Sequence, residues 1–229
     1  MSTTVRPPRF AWRLDRANRN IPDAGHRLLS WHRTLTGEPD DPNKRSAPDR
    51  ALRAQLKRCQ DPGDALFLPG FAAVFQYLYP DESSRTAALR DQEVVAALAR
   101  VAITAASLGG RGAQIDTATP LALQMLGPEG RIADGRVEDA TVTPLRLRSL
   151  LATDDPDPAL ARWRRLLPVF AGNGVNLPEL AQALAHWDET TRRTLSFAYF
   201  AFAATGPHRS GTPTTTEPDD DTASLPADA

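Results

Sequence analysis

Three sets of basic side chains are spaced so that each marks one side of a helix. Arg50, Arg53 and Lys57 recur at i, i+3 and i+7, Arg146 and Arg148 alternate with leucines, and Arg162 and Arg165 are three apart. Each set lies opposite an apolar face, and few acids interleave with it. Cations presented in this way bind phosphate or carboxylate oxygens, such as those of a nucleic-acid backbone or an acidic protein surface. The competing reading is compositional, because arginine is abundant everywhere and lysine is confined to Lys44 and Lys57.

No constellation for covalent or metal chemistry accompanies these cations. His26 and His32 are six apart and do not share a helix face cleanly, His186 beside Trp187 reads as a packed side chain, and His208 stands near the C-terminus. HExxH and GxSxG are absent. Gly109-Gly110-Arg111-Gly112 lacks the GK[ST] ending of a phosphate loop and follows a helix, whereas phosphate loops precede one. The acid pairs Asp154-Asp155 and Asp188-Glu189 fall at helix boundaries, where capping accounts for them. The sequence therefore points to no catalytic set, no metal site and no cofactor.

The elements that must position the basic residues are all helical. A first helix is expected from a cap at Asp23 to Thr36, stopped by Gly37. A short basic helix follows, with Ser46 as N-cap, Asp49 three residues on, and Leu52, Leu56 and Cys59 on its apolar side. A tight Asp61-Pro62-Gly63 turn leads to an apolar helix carrying Leu66, Leu68, Phe71, Val74, Phe75 and Leu78. After a break at 80–84 one long Ala-rich helix, Thr86–Leu108, reads as deeply buried. Next come a short helix, Thr117–Leu126, with a capping threonine, a polar loop at 130–139, and a helix Thr143–Ala152 with Pro144 in its first turn. Asp157-Pro158 opens a helix with Leu160, Trp163, Leu167 and Phe170 on one face, closed by Gly172-Asn173-Gly174. Asn176 caps the next, and Glu189–Ala204 is the last. No alternating β pattern survives, so the fold class is all-α, a helical bundle of eight or nine helices.

The charge is unevenly placed. Across 229 residues the formal net charge is −1, but residues 1–60 hold thirteen Lys or Arg against six Asp or Glu. Residues 205–229 set Arg209 alone against Glu217, Asp219, Asp220, Asp221 and Asp228. The expected organisation is an Arg-rich extension at 1–20, a helical domain at 21–204 divisible near 112 and 113 into two sub-bundles, and a disordered acidic tail at 205–229. Cys59 is the single cysteine, which rules out an intrachain disulfide and fits a reducing cytoplasm. No signal-like or membrane-spanning run is seen; Leu195–Ala204 is about half the ~20 apolar residues needed.

The run AQLKRCQDPGDALFLPGFAAVF resembles the CasB family in the region where a basic pair precedes a turn and a proline-x-phenylalanine helix. A second run, TPLRLRSLLATDDPDPALARWRRLLPVFAGNGVNLPELAQALAHWDETTRR, is similar to the family's leucine-arginine helix, acidic turn, Arg-Arg-Leu-Leu helix and helix ending near a tryptophan. The ordered set spans roughly residues 48–204. One departure is Leu121-Ala122-Leu123, where the family often carries a Gly-Arg pair.

CasB proteins are small subunits of the type I-E CRISPR surveillance complex, Cascade. The resemblance implies an all-helical, non-enzymatic subunit, present as two copies beside the large and backbone subunits of a crRNA-containing particle. Such subunits line a basic groove for the target and displaced DNA strands. Carried over by position, the DNA-facing residues are Lys57, Arg58, Arg111, Arg146, Arg164 and Arg165; face analysis adds Arg50, Arg53 and Arg148. Phosphate contacts of this kind carry no sequence information, and an aromatic platform is not expected, because Trp163 and Phe170 point into the core by their spacing. The alternative is a free-standing helical adaptor or regulator whose basic faces bind an acidic protein.

Overall fold

The structure, a computed structural model, describes residues 24–37, 49–108, 114–128 and 137–204. The basic extension, the caps expected at Asp23 and Ser46, the glycine cluster with Arg111, most of the 130–139 loop and the acidic tail lie outside the described residues. Among the described residues there are eleven α-helices, no strand, and one isolated parallel bridge between Ile115 and Val175. The fold is all-α, with more helices than eight or nine because two expected elements are subdivided.

Helix α1 (Ala24–Thr36) buries Leu28, Leu29, Trp31, His32 and Leu35. It stops at Gly37, whose φ of 76° is the left-handed conformation of a helix C-cap and whose N–H donates to the Arg33 carbonyl at 2.8 Å. Helix α2 (Arg50–Arg58) starts one turn later than expected, because Asp49 is itself the N-cap and accepts from the Leu52 N–H at 3.0 Å. The Asp-Pro-Gly turn closes into a one-turn helix, α3 (Pro62–Ala65), with Asp61 capping and Pro62 at the first helical position. Helix α4 (Pro69–Leu78) then lays Phe71, Val74, Phe75 and Leu78 into the core.

The expected long helix is two. Asp81 caps α5 (Glu82–Leu89) through the Ser84 N–H, and Asp91 caps α6 (Gln92–Ser107) through the N–H groups of Glu93 and Val94. Aspartate in a helix interior competes for nearby backbone donors, and here that competition ends one helix and begins the next. Every residue from Ala97 to Ala106 is buried, and α6 is the axis against which α2, α3, α5, α9 and α10 pack. Its one buried charge, Arg100, pairs with Asp157 at 3.0 Å and donates to the Leu184 carbonyl.

Helix α7 (Leu121–Leu126) is shorter than expected. Thr117 does not cap it; the Leu121 N–H instead donates to the Glu179 carboxylate at 2.7 Å, from 58 residues away. Helices α8 (Pro144–Leu151, capped by Thr143), α9 (Pro156–Phe170, capped by Asp155), α10 (Leu177–Ala185, capped by Asn176) and α11 (Glu189–Ala204) complete the domain. Helix α9 begins one residue before the expected Asp157, which is thereby released to meet Arg100. Trp163 and Trp187 meet edge to face at 6.1 Å, and Trp187 donates its indole N–H to the Thr153 carbonyl.

Candidate nucleic-acid interface

The last carbonyls of an α-helix have no partner within it, and the helix dipole makes that end attractive to cations. This chain satisfies many of those carbonyls with arginines. Arg27 donates to Leu78 at the end of α4, Arg53 to Ala106 at the end of α6, and Arg100 to Leu184 at the end of α10. Arg162 donates to the Ser149 carbonyl and hydroxyl, and Arg192 to the Leu151 carbonyl, both in the last turn of α8; Arg192 also pairs with Asp154. Arg164 donates to the carbonyls of Lys57 and Cys59 at 2.8 and 2.6 Å, closing the end of α2. Much of the arginine excess is therefore architectural.

Subtracting these leaves a small population. The side chains of Arg50, Lys57, Arg58, Arg90, Arg146, Arg148 and Arg165 are exposed and make no hydrogen bond or ion pair within the described residues, Arg90 standing apart from the others at the end of α5. Arg53 was expected among the outward cations, but its guanidinium Nε is held by the end of α6, and Arg164 is half-buried against α2. Arg111 lies outside the described residues.

Helix α9 brings the free cations into register. At 100° per residue, buried Trp163 faces the core, Arg162 and Arg164 leave on its two sides, and Arg165 lies on the outer face between them. Arg162 reaches α8 at Ser149, next to Arg148; Arg164 reaches α2 at Lys57 and Cys59, either side of Arg58. The result is a basic band from Arg148 across Arg165 to Lys57 and Arg58, uniting residues more than 100 apart in the chain. Arg146 lies half a turn along α8 from Arg148, whereas Arg50 is at the far end of α2, about 11 Å along its axis from Lys57.

Two exposed acids, Asp61 and Asp64, follow the α2 end of the band. Burial pushes the Cys59 thiol up from its ordinary value, neighbouring Asp64 adds to the rise, and the Arg164 guanidinium opposes it. The band presents its cations along a line, and the thiol beside it, Cys59, is buried. Among the described residues no group of three or more His, Cys, Asp or Glu could hold a metal ion, and no helix is long and apolar enough to cross a membrane.

Sequence reasoning missed the capping arginines, Arg27, Arg100, Arg162 and Arg192. Only their partners identify them, and those partners lie in other helices.

Comparison with known proteins follows the same outline. The family model of CRISPR-associated protein Cse2 matches residues 52–200, more than half of the chain. Among solved structures, a chain of the crystal structure of E. coli Cascade bound to a PAM-containing dsDNA target is similar, with a TM-score of 0.50 at 17% identity over 76% of this chain and 97% of that one. That likeness is one of fold. No curated protein gives a significant match.

Proposed function

The chain belongs to the family of CRISPR-associated protein Cse2, the CasB family that its motifs resemble, and from this premise we propose that it is a non-catalytic subunit of a crRNA-guided type I-E Cascade particle. Its basic band holds the backbones of the target and displaced DNA strands and prolongs the R-loop. The observation that carries this reading is the separation of the cations into two populations. Where arginines are needed for helix ends they are engaged there, yet the side chains of Lys57, Arg58, Arg148 and Arg165 have no partner among the described residues along one band.

An R-loop exchanges one duplex for another of similar stability, so a few phosphate contacts can tip the balance. Lys and Arg on phosphate supply affinity without reading bases, and reading is the task of the guide RNA. In this account Lys57, Arg58, Arg148 and Arg165 are the principal contacts, Arg146 extends them, and Arg164 positions α2 while offering its remaining N–H groups. Arg50 and Arg53 are peripheral contacts, and Arg111 is a contact by its position in the family pattern. The partners are the large and backbone subunits, a second copy of this chain and both DNA strands, within a cytoplasmic particle. The similar chain comes from a DNA-bound Cascade, which supports this setting.

Co-expression of the tagged chain with its neighbouring genes tests the reading. The expected outcome is a stoichiometric, crRNA-containing particle whose R-loop lifetime falls when this subunit is omitted. Recovery of the chain alone would favour the free-standing adaptor.

A further inference from the structure

The basic band ends beside an aromatic residue. Phe67, in the connection between α3 and α4, is 87% exposed, the most exposed large hydrophobic side chain among the described residues. It is out of phase with Leu68, Phe71, Phe75 and Leu78 of the apolar helix that follows, and so is excluded from the core that they enter. One contact fixes its position. Three residues after it, Gly70 is packed on α2, where an added Cβ would fall 2.9 Å from Leu56 Cδ1. Three residues span at most roughly 11 Å, so Phe67 stays within that reach of Gly70, which packs on Leu56 in the last turn of α2, the turn that also holds Lys57 and Arg58.

Exposed hydrophobics scattered singly over a surface need no explanation. Phe67 differs in its company, because around the end of α2 the exposed residues are Lys57, Arg58, Gln60, Asp61 and Asp64, with Leu66 and Pro69 as its exposed apolar neighbours in sequence. A ring meant for a protein partner would be expected within a wider apolar patch. A ring flanked by unpaired cations suits a strand that carries both a π-face and a phosphate.

Building on the DNA-binding reading, we propose that Phe67 is a stacking residue for unpaired bases, and that the end of α2 takes single-stranded nucleic acid with Lys57 and Arg58 on the flanking phosphates. The site selects single strands over duplex, whose bases are already stacked and offer no free face. It is indifferent to sequence, since every base has a π-face.

The test uses the full chain and three probes of equal length: an oligo-dT strand, an abasic phosphodiester strand and a duplex. Binding is read by fluorescence anisotropy at fixed low salt. Phe67→Ala is expected to weaken oligo-dT binding roughly tenfold, within the range that alanine gives at stacking aromatics, while abasic and duplex affinities stay unchanged. Phe67→Trp is expected to keep the affinity, with indole fluorescence quenched by oligo-dT. If Phe67→Ala binds oligo-dT as wild type does, while Lys57→Glu with Arg58→Glu binds it more weakly, stacking is refuted and the DNA-binding reading stands. If neither variant changes binding, or the wild type binds none of the probes, both fail. Loss of particle assembly by Phe67→Ala with oligonucleotide binding intact would assign the ring to a protein partner and overturn the proposal.

Discussion

Two junctions in this molecule bring together segments remote in sequence, and they treat polar groups in opposite ways. Where α7 meets α10, Gln124 is 1% and Asn176 5% exposed. Gln124 accepts from the Asn176 N–H at 2.6 Å and donates to the backbone carbonyl and carboxylate of Asp116, while the Asn176 amide donates to the carbonyls of Thr117 and Thr119. The network closes on itself. Where α9 meets α2, Arg164 closes the helix end, but Lys57, Arg58 and Arg165 around it carry charge that no group among the described residues answers. A closed polar network serves the fold, and an open one is available to a ligand.

The comparison can be broken from either side. The largest effect is expected at the closed junction. Gln124→Leu leaves the buried Asn176 N–H without an acceptor and should cost about 3 kcal/mol. That corresponds to a fall of roughly 6–12 °C in thermal midpoint for a domain of this size. Lys57→Glu with Arg58→Glu, at the open junction, should change stability by less than about 0.5 kcal/mol. It should nevertheless lower the slope of log affinity for DNA against log salt by about two. Calorimetry and salt-titrated anisotropy on both variants check the pair, and a charge reversal that unfolded the chain would place the basic band in the architecture.

A smaller effect is expected with acid. The Thr119 hydroxyl holds the Asp116 carboxyl below its ordinary value, against an opposing push from burial, with the Ala118 and Thr119 N–H groups and the Gln124 amide assisting. A carboxylate lowered in the folded state stabilises the fold above the unfolded value near 3.9, and the gain is lost as pH falls through the lower folded value. Thermal midpoints should therefore decline below about pH 4, and Asp116→Asn should decline less steeply over that interval. Parallel curves would remove Asp116 from the stabilising network.

What the sequence makes legible here is local. Pro144 in the first turn of α8, and Asn176 before Pro178 and Glu179 in α10, mark helix starts because cap, proline and acid act within one turn. The apolar phase of Leu160, Trp163, Leu167 and Phe170 places Arg165 outward, as the structure has it. The break at Asp91 was hidden because the flanking residues all tolerate a helix, and only the side chain's capture of two backbone donors ends it. The start of α7 was misplaced because its donor is answered by Glu179 from another helix. Arginines show the same limit, since face analysis identifies which can point outward but not which meet the open end of a distant helix. Arg53 and Arg162 look alike on a helical wheel, and each ends at a different helix's carbonyl.

The central claim, that unpaired cations on the α2–α9 band hold DNA, is tested most directly by R-loop lifetime. The measurement compares particles reconstituted with wild-type chain and with Lys57→Glu, Arg58→Glu and Arg165→Glu combined. Full assembly is expected, with an R-loop that dissociates at least tenfold faster, about 1.4 kcal/mol lost over three phosphate contacts. Equal lifetimes in fully assembled particles would contradict the claim.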